Sequence, residues 1–211
     1  MSDNLSSADN QQGSPPHLRG DPSETTRRAP SAAEMKAYLL GAIHDGTFNR
    51  VHRTFRISQR GRSWLEFLRA ILRILGYRAW IYREGKTRKV YALETTASFL
   101  DLKFDPLALK STSEHVAYIR GYFDAEGGIP HSSTARFYIQ LCQKNRVELS
   151  HVRLLLEKMG IRCGIVHNPS NAVDPHYWRF FVRTESHSDF VRMISTWHPR
   201  KKLFLKRRMK I

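Results

Sequence analysis

Two apolar stretches of this chain end in the same way, and together they constrain most of what it can fold into. Tyr38–Thr47 reads YLLGAIHDGT, and Tyr118–Gly128 reads YIRGYFDAEGG. Each is a helical run closed by an acid and a glycine, Asp45-Gly46 in the first and Glu126-Gly127 in the second. Each is preceded by the pattern S-x-x-E, Ser31 to Glu34 and Ser111 to Glu114. In such a capping box the serine oxygen and the glutamate carboxylate satisfy orphan amides at a helix start. Ser31 to Asp45 spans 14 residues and Ser111 to Glu126 spans 15, so each helix is about 21 Å long at ~1.5 Å per residue. Small residues recur every fourth position: Ala33, Ala37 and Gly41, then Ala117, Gly121 and Ala125. Positions i and i+4 share a helix face, and a face of Ala and Gly lets two backbones approach. The spacing therefore predicts two helices packed side by side, with Asp45 and Glu126 brought together at their C-terminal ends.

The segments after the two stretches also repeat. Arg53–Ser58 alternates apolar and polar residues, a strand pattern. Arg62–Leu75 places Trp64, Leu65, Phe67, Leu68, Ile71, Leu72 and Leu75 at helix spacing, and Gly76 suits a helix end. Tyr77–Arg83 and Arg88–Glu94 predict a hairpin, and Thr96–Lys103 a short amphipathic helix. In the second half, Ile129–Lys144 predicts strands, Arg146–Met159 a helix closed by Gly160, and Ile161–Val166 with His176–Arg183 a hairpin. Ser186–Trp197 predicts a closing helix. Asp45 to Glu126 is an offset of 81, while Gln59 to Gln143 and Gly76 to Gly160 are both 84. The fold class expected is α+β: two pseudo-symmetric αββαββα repeats, 31–110 and 111–211, after a disordered tail at 1–30. The tail is rich in Ser, Pro, Asp, Gln and Asn, too poor in apolar surface to offset ordering entropy.

Charge narrows the partner. The formal net charge is +16. In the tail three arginines face four acids, a balance of −1, so the remaining chain carries +17. A domain this basic points to a polyanion, most often nucleic acid. No apolar run approaches the ~18–20 residues that span a bilayer, and the N-terminus lacks the pattern of a signal peptide. The expectation is an intracellular protein, not secreted and not in a membrane. Cys142 and Cys163 have no metal-site spacing and read as reduced core residues.

The second stretch resembles the LAGLIDADG motif of homing endonucleases: Gly121, Tyr122, Phe123, Asp124, Ala125, Glu126 and Gly127 match it position for position. The first resembles a divergent copy, with Asp45 and Gly46 as its acid and glycine. There Gly41 stands one residue closer to the acid, and His44 falls where the family prefers a small residue. The resemblance covers about residues 31–205. It implies a saddle of two antiparallel sheets over duplex DNA, and a monomer carrying both motifs in one chain.

The resemblance also implies the chemistry. Phosphodiester cleavage needs an activated water and neutralisation of charge on the phosphate and leaving oxygen, which carboxylate-held divalent cations provide. Asp45 and Glu126 would bind Mg²⁺, or another divalent cation such as Mn²⁺. A helix C-terminus disfavours acids through its dipole, so two acids placed there point to a ligand. Gln59 and Gln143, at matching strand ends, are candidates for ordering water. Lys110 in the first repeat, and Lys201 or Lys202 in the second, are candidates for stabilising charge. Base and phosphate contacts fall to Arg50, Arg53, Arg56, Arg78, Arg83, Lys89, Arg136, Gln140, Arg162, Arg179 and Arg183 on the free sheet face. Trp80, Tyr82 and Trp178 read as core packing. The expected function is an intron-encoded, site-specific endonuclease that breaks both strands of a long, asymmetric DNA site. The alternative on the same fold is an RNA maturase that binds intron RNA, or a DNA-binding regulator without cleavage.

Overall fold

The computed structural model describes residues 28–87, 89–132 and 134–209. Residues 1–27, most of the expected tail, lie outside them. Helix α1 is Ala32–Ala42 and continues as a 3-10 turn, Ile43–Asp45, into β1, Gly46–Asn49. Then come β2 (Thr54–Gln59), α2 (Ser63–Ile74), β3 (Ala79–Glu84) and β4 (Val90–Thr95). The second half begins with α3 (Thr112–Glu126), followed by β5 (Gly127–Gly128), β6 (Ile139–Gln143) and α4 (Arg146–Lys158). It closes with β7 (Trp178–Val182), α5 (His187–Met193) and α6 (Pro199–Met209).

Both capping boxes form. Ser31 N donates to Glu34 Oε2 at 2.6 Å and Glu34 N to Ser31 Oγ at 3.2 Å. The matching bonds at Ser111 and Glu114 are 2.9 and 3.2 Å. The small-residue faces bring α1 and α3 into backbone contact, with Gly41 against Tyr118 and Gly121 against Tyr38. The ends of α2 and α4 also repeat. Tyr77 N donates to Leu72 O at 2.8 Å and Ile161 N to Leu156 O at 3.0 Å, around Gly76 at φ +82° and Gly160 at φ +80°. These are Schellman ends, which need a left-handed residue that glycine adopts at no steric cost.

One antiparallel sheet has the order β1-β2-β4-β3, and the second β5-β6-β7. Ile57 and Leu93 are partners on the face buried against the helices. A single core runs through both halves, from Tyr38, Trp64 and Leu68 to Tyr118, Phe123, Leu156 and Phe190.

Four local expectations are corrected. Thr96–Lys103 is not a helix. Two isolated turns replace it, Leu100 N to Ala97 O and Phe104 N to Asp101 O, both 3.3 Å. The Asp101 side chain accepts from Lys103 N at 2.9 Å, a local bond that competes with the helix pattern. In the second hairpin the strand expected at Ile161–Val166 is reduced to two bridges, Cys163 to Val182 and His167 to Arg179. Four steps on one side face three on the other, so an extra residue bulges out and interrupts the ladder. The closing helix stops at Met193 and not at Trp197, because Thr196 and the Trp197 amide turn back onto Asp124. Finally, Trp80 and Tyr82 are 40% and 38% exposed, since alternation puts them on the face opposite Ile81 and Leu93.

His44 also takes a different place from the one expected. With Gly41 and Gly121 aligned at the crossing, an offset of 80 makes Tyr38 equivalent to Tyr118 and His44 equivalent to Asp124. The residue without a counterpart is Ala125. The 3-10 turn absorbs the deletion. Gly41 to Asp45 advances about 7.5 Å at ~1.5 Å per α-helical and ~2.0 Å per 3-10 residue, the same advance as five α-helical steps from Gly121 to Glu126.

Candidate active site

The two acids end the two paired helices, Asp45 as the last residue of the 3-10 turn and Glu126 as the last of α3. A cleft of about 450 Å³ opens there. Its walls include Asp45, Gln59 and Arg60 from the first half and Gly127, Lys201 and His198 from the second. Burial pushes the Asp45 carboxyl up to about 6, although a bond from Gln59 and the charge of Lys201 oppose the shift. Glu126 goes up to about 7, first by burial and then by the charge of Asp45, with His44 and Lys201 pulling the other way. A buried carboxylate whose ionisation is opposed by the charge of a second one is a ready cation site.

Gln59 ends β2 beside Tyr91 and Ile57, and its amide donates to Asp45 Oδ2. Gln143 ends β6 in the matching position, but its side-chain oxygen accepts from Lys144 N at 2.7 Å. The equivalence of the two glutamines in sequence is therefore not an equivalence of contacts.

Of the three lysines, only Lys201 enters the cleft. Its Nζ donates to the backbone oxygens of Phe123 and, at 2.9 Å, Asp124. These belong to the last turn of α3, where the Phe123 oxygen also accepts from the Gly127 N–H that closes the helix. Burial lowers the Lys201 pKa to about 8, against the opposing pull of Asp124, Glu126 and Asp45. Lys202, one residue on, is exposed and is not on the cleft wall. Lys110 precedes Ser111 at the opposite end of α3, about 24 Å from Glu126 along the axis at ~1.5 Å per residue. It stands outside this cleft because α1 and α3 present only their C-terminal ends to it.

Sequence reasoning gave no role to Arg60, His198 or Arg200, all on the cleft wall. Arg60 directly follows Gln59, a signal that was readable. His198 and Arg200 reach the wall only through the fold-back after α5. The His198 ring lies 5.2 Å from that of Trp64. Burial first, and then Lys201, depress its pKa to about 4, so it is neutral at pH 7.

The cation-bearing candidates divide into groups. Arg83 and Lys89 join Arg60 along a second groove that adjoins the cleft. Arg56 sits on the free face of the first sheet, where its Nη2 is 3.0 Å from Glu84 Oε1. Arg78 is exposed just before β3, and Arg50 and Arg53 occupy the turn between β1 and β2. On the second sheet Gln140 and Arg179 share the free face through the pairs Gln140–Phe181 and Cys142–Arg179. Gln140 donates to Tyr177 Oη at 3.0 Å. Arg162 and Arg183 are neighbours at the outer edge, joined by a 2.9 Å backbone bond. Arg136 is exposed in the loop before β6.

Among the described residues, no group of three or more His, Cys, Asp or Glu side chains gathers to hold a metal. The donors are the Asp45 carboxylate on the cleft wall and that of Glu126, which feels the charge of Asp45. That set suits a hard cation such as Mg²⁺, which keeps several waters and takes oxygen ligands from substrate phosphate.

Comparison with known proteins bears on the fold. Residues 113–195 match the family model of the LAGLIDADG-like domain. The homing endonuclease I-ApeI of Aeropyrum pernix is 26% identical over 185 residues, spanning 77% of this chain and 81% of that protein. The crystal structure of I-DmoI in complex with DNA and Mn superposes with a TM-score of 0.59 at 20% identity, covering 78% of this chain and 98% of that one. Full-length DUF199/WhiA from Thermatoga maritima gives 0.64 at 18% identity, over 88% of this chain and 62% of that one. Both structural matches establish the fold.

Proposed function

We propose that this chain, whose residues 113–195 match the model of the LAGLIDADG-like domain, is an intron-encoded homing endonuclease. It breaks both strands of a long, asymmetric DNA site by metal-dependent hydrolysis, acting inside the cell. It acts as a monomer, with 31–110 and 111–211 as its two repeats, because both acids stand in one chain. The observation that carries this reading is the convergence of Asp45, Gln59, Arg60 and Lys201 on one cleft at the ends of the paired helices, with Glu126 coupled to Asp45. The similarity to a homing endonuclease supports it, as do fold relatives solved with DNA and Mn or Ca.

Asp45 and Glu126 would hold Mg²⁺ or Mn²⁺, one carboxylate from each repeat. A divalent cation held there would supply activation of water and neutralisation of charge on the scissile phosphate. Gln59 fixes the orientation of the Asp45 carboxylate by donating to it. Lys201 is held by two α3 carbonyls and places a positive charge beside both acids. Arg60, with Arg83 and Lys89 in the adjoining groove, neutralises backbone phosphates. Arg56, Gln140 and Arg179 on the free sheet faces meet base edges in the major groove.

The test is cleavage of a randomised duplex DNA library with Mg²⁺, wild type beside Glu126→Gln. One long site cut on both strands by the wild type alone establishes the endonuclease. A second reading is a binding module that keeps the fold without cleavage, either a DNA-binding regulator or a maturase on intron RNA. The Gln143 side chain, turned onto Lys144 and not onto Glu126, favours it. Selective retention of DNA or intron RNA with no cut would establish that reading instead.

A further inference from the structure

The shorter first motif raises a mechanical question. A 3-10 turn has poorer hydrogen-bond geometry than an α-helix, yet here it must carry a carboxylate into a cleft. The residue just before that carboxylate is anchored from the other repeat. His44 Nε2 lies 2.8 Å from Glu148 Oε1. Tyr118 Oη donates to the same oxygen at 3.1 Å and lies 2.9 Å from His44 Nε2. Tyr122 packs its ring 5.1 Å from that of His44. The His44 side chain is only 4% exposed. Glu148 is itself fixed, because its backbone N–H donates to Asn145 at the start of α4.

The other motif is held by a different arrangement. Asp124, the equivalent of His44, accepts from Tyr38 Oη at 2.7 Å. Trp64 donates to that Tyr38 oxygen at 3.0 Å. Trp64 and Glu148 stand at equivalent places on α2 and α4, 84 residues apart like Gly76 and Gly160. In the full-length motif the acid belongs to the motif helix, which stays α-helical through Glu126. In the short motif the acid has moved to α4, and the motif carries the histidine.

We propose that Glu148, acting through His44, is a positioning residue for Asp45. The buried Glu148–His44–Tyr118 cluster clamps the 3-10 turn, so that the motif shortened by one residue delivers its acid to the same depth as the longer one. This rests on the endonuclease reading. The clamp compensates for the missing counterpart of Ala125, and it ties the Asp45 half of the centre to the packing of the second repeat.

The test compares His44→Ala, His44→Gln, Glu148→Ala and Glu148→Gln with wild type on the cognate duplex. Three quantities are read: DNA affinity in EDTA, Ca²⁺ affinity of the protein–DNA complex by calorimetry, and the rate at which each strand is cut in Mg²⁺. His44→Ala and Glu148→Ala should weaken cation binding about ten- to hundredfold, the usual effect of losing a residue that orients a ligand. They should slow one strand more than the other and leave DNA affinity in EDTA unchanged. His44→Gln keeps an N–H aimed at Glu148 and should retain most of the cation affinity. If Glu148→Ala does not fold, Glu148→Gln, of the same volume, takes its place. Wild-type cation affinity and strand ratio in the Glu148 and His44→Ala variants would overturn the clamp while leaving the endonuclease intact. A wild type that binds DNA but neither binds cation nor cuts would overturn both.

Discussion

Gly41 lies flat against the carbonyl of Tyr118, so that a methyl group added at Gly41 would overlap that oxygen and crowd the Tyr122 nitrogen. Gly121 stands in the same relation to Tyr38 O and Ala42 N. These atoms are backbone and cannot rotate away. Gly41→Ala or Gly121→Ala should therefore force α1 and α3 apart and destabilise the fold by about 3 kcal/mol, the upper end for overpacking. Urea unfolding checks this. A change below about 0.5 kcal/mol, the size of a surface substitution, would mean that the helices are not in backbone contact.

The lysine in the cleft should be distinguishable from its neighbours by rate. Lys201→Met should lower the single-turnover cleavage rate by about 10²–10³-fold, the scale of losing one fixed electrostatic donor. Lys202→Ala and Lys110→Ala should leave that rate within about threefold and act, if at all, through phosphate binding. Equal losses at Lys201 and Lys202 would contradict the placement.

The pH profile rests on the same groups. At limiting Mg²⁺, cleavage should rise from pH 6 through 7 as Asp45 and Glu126 lose protons and become cation ligands. It should fall above about 8, where Lys201 deprotonates. In Lys201→Arg the alkaline fall should move beyond pH 9, because arginine keeps its charge.

Stability should run opposite to activity. An acid whose pKa is raised on folding is most favourable to the fold below its unfolded pKa near 4. It loses that advantage as pH rises through the folded value, here about 6 for Asp45 and about 7 for Glu126. Metal-free protein at pH 8 thus carries two ionised carboxylates that the fold disfavours. Glu126→Gln should melt higher than wild type at pH 8 in EDTA, by about 2–4 °C for each kcal/mol relieved. The gap should close near pH 5, and Mg²⁺ should raise the wild-type melting temperature more at pH 8 than at pH 5. Melting curves at the two pH values decide it.

The groove and the sheet faces should separate in a salt titration. Each of Arg60→Ala, Arg83→Ala and Lys89→Ala should weaken binding to all sequences alike and reduce the log–log salt slope by about one. Arg56→Ala and Gln140→Ala should relax preference at single base positions. A sequence-specific loss at Arg60 would place that side chain against a base.

Several parts of this fold are visible in the sequence because their causes are local. The capping boxes at Ser31 and Ser111, the helices ending at Gly76 and Gly160, and the strand at Thr54–Gln59 depend on residues within one or two turns. The Ala and Gly faces gave the pairing of α1 with α3 for the same reason, since a four-residue period is a property of one helix. The misreadings lie where a distant partner decides. Thr96–Lys103 has a helical pattern but satisfies its backbone through turns. Ile161–Val166 alternates like a strand, yet the residue that bulges out of its ladder is set by the register with β7. Trp80 and Tyr82 are apolar but share a face with Arg56.

Local pattern alone specifies that two capped helices end in Asp45 and Glu126 and that their small faces allow them to pack, because period, cap and acid–glycine ending are all written within one helix. Chain packing sets that the charge of Lys201, not of Lys110, stands beside those acids, that Gln59 but not Gln143 donates to one of them, and that His44 answers to Asp124. Each of these depends on distances between segments 14 to 86 residues apart, which packing of the shared core sets and no local pattern encodes.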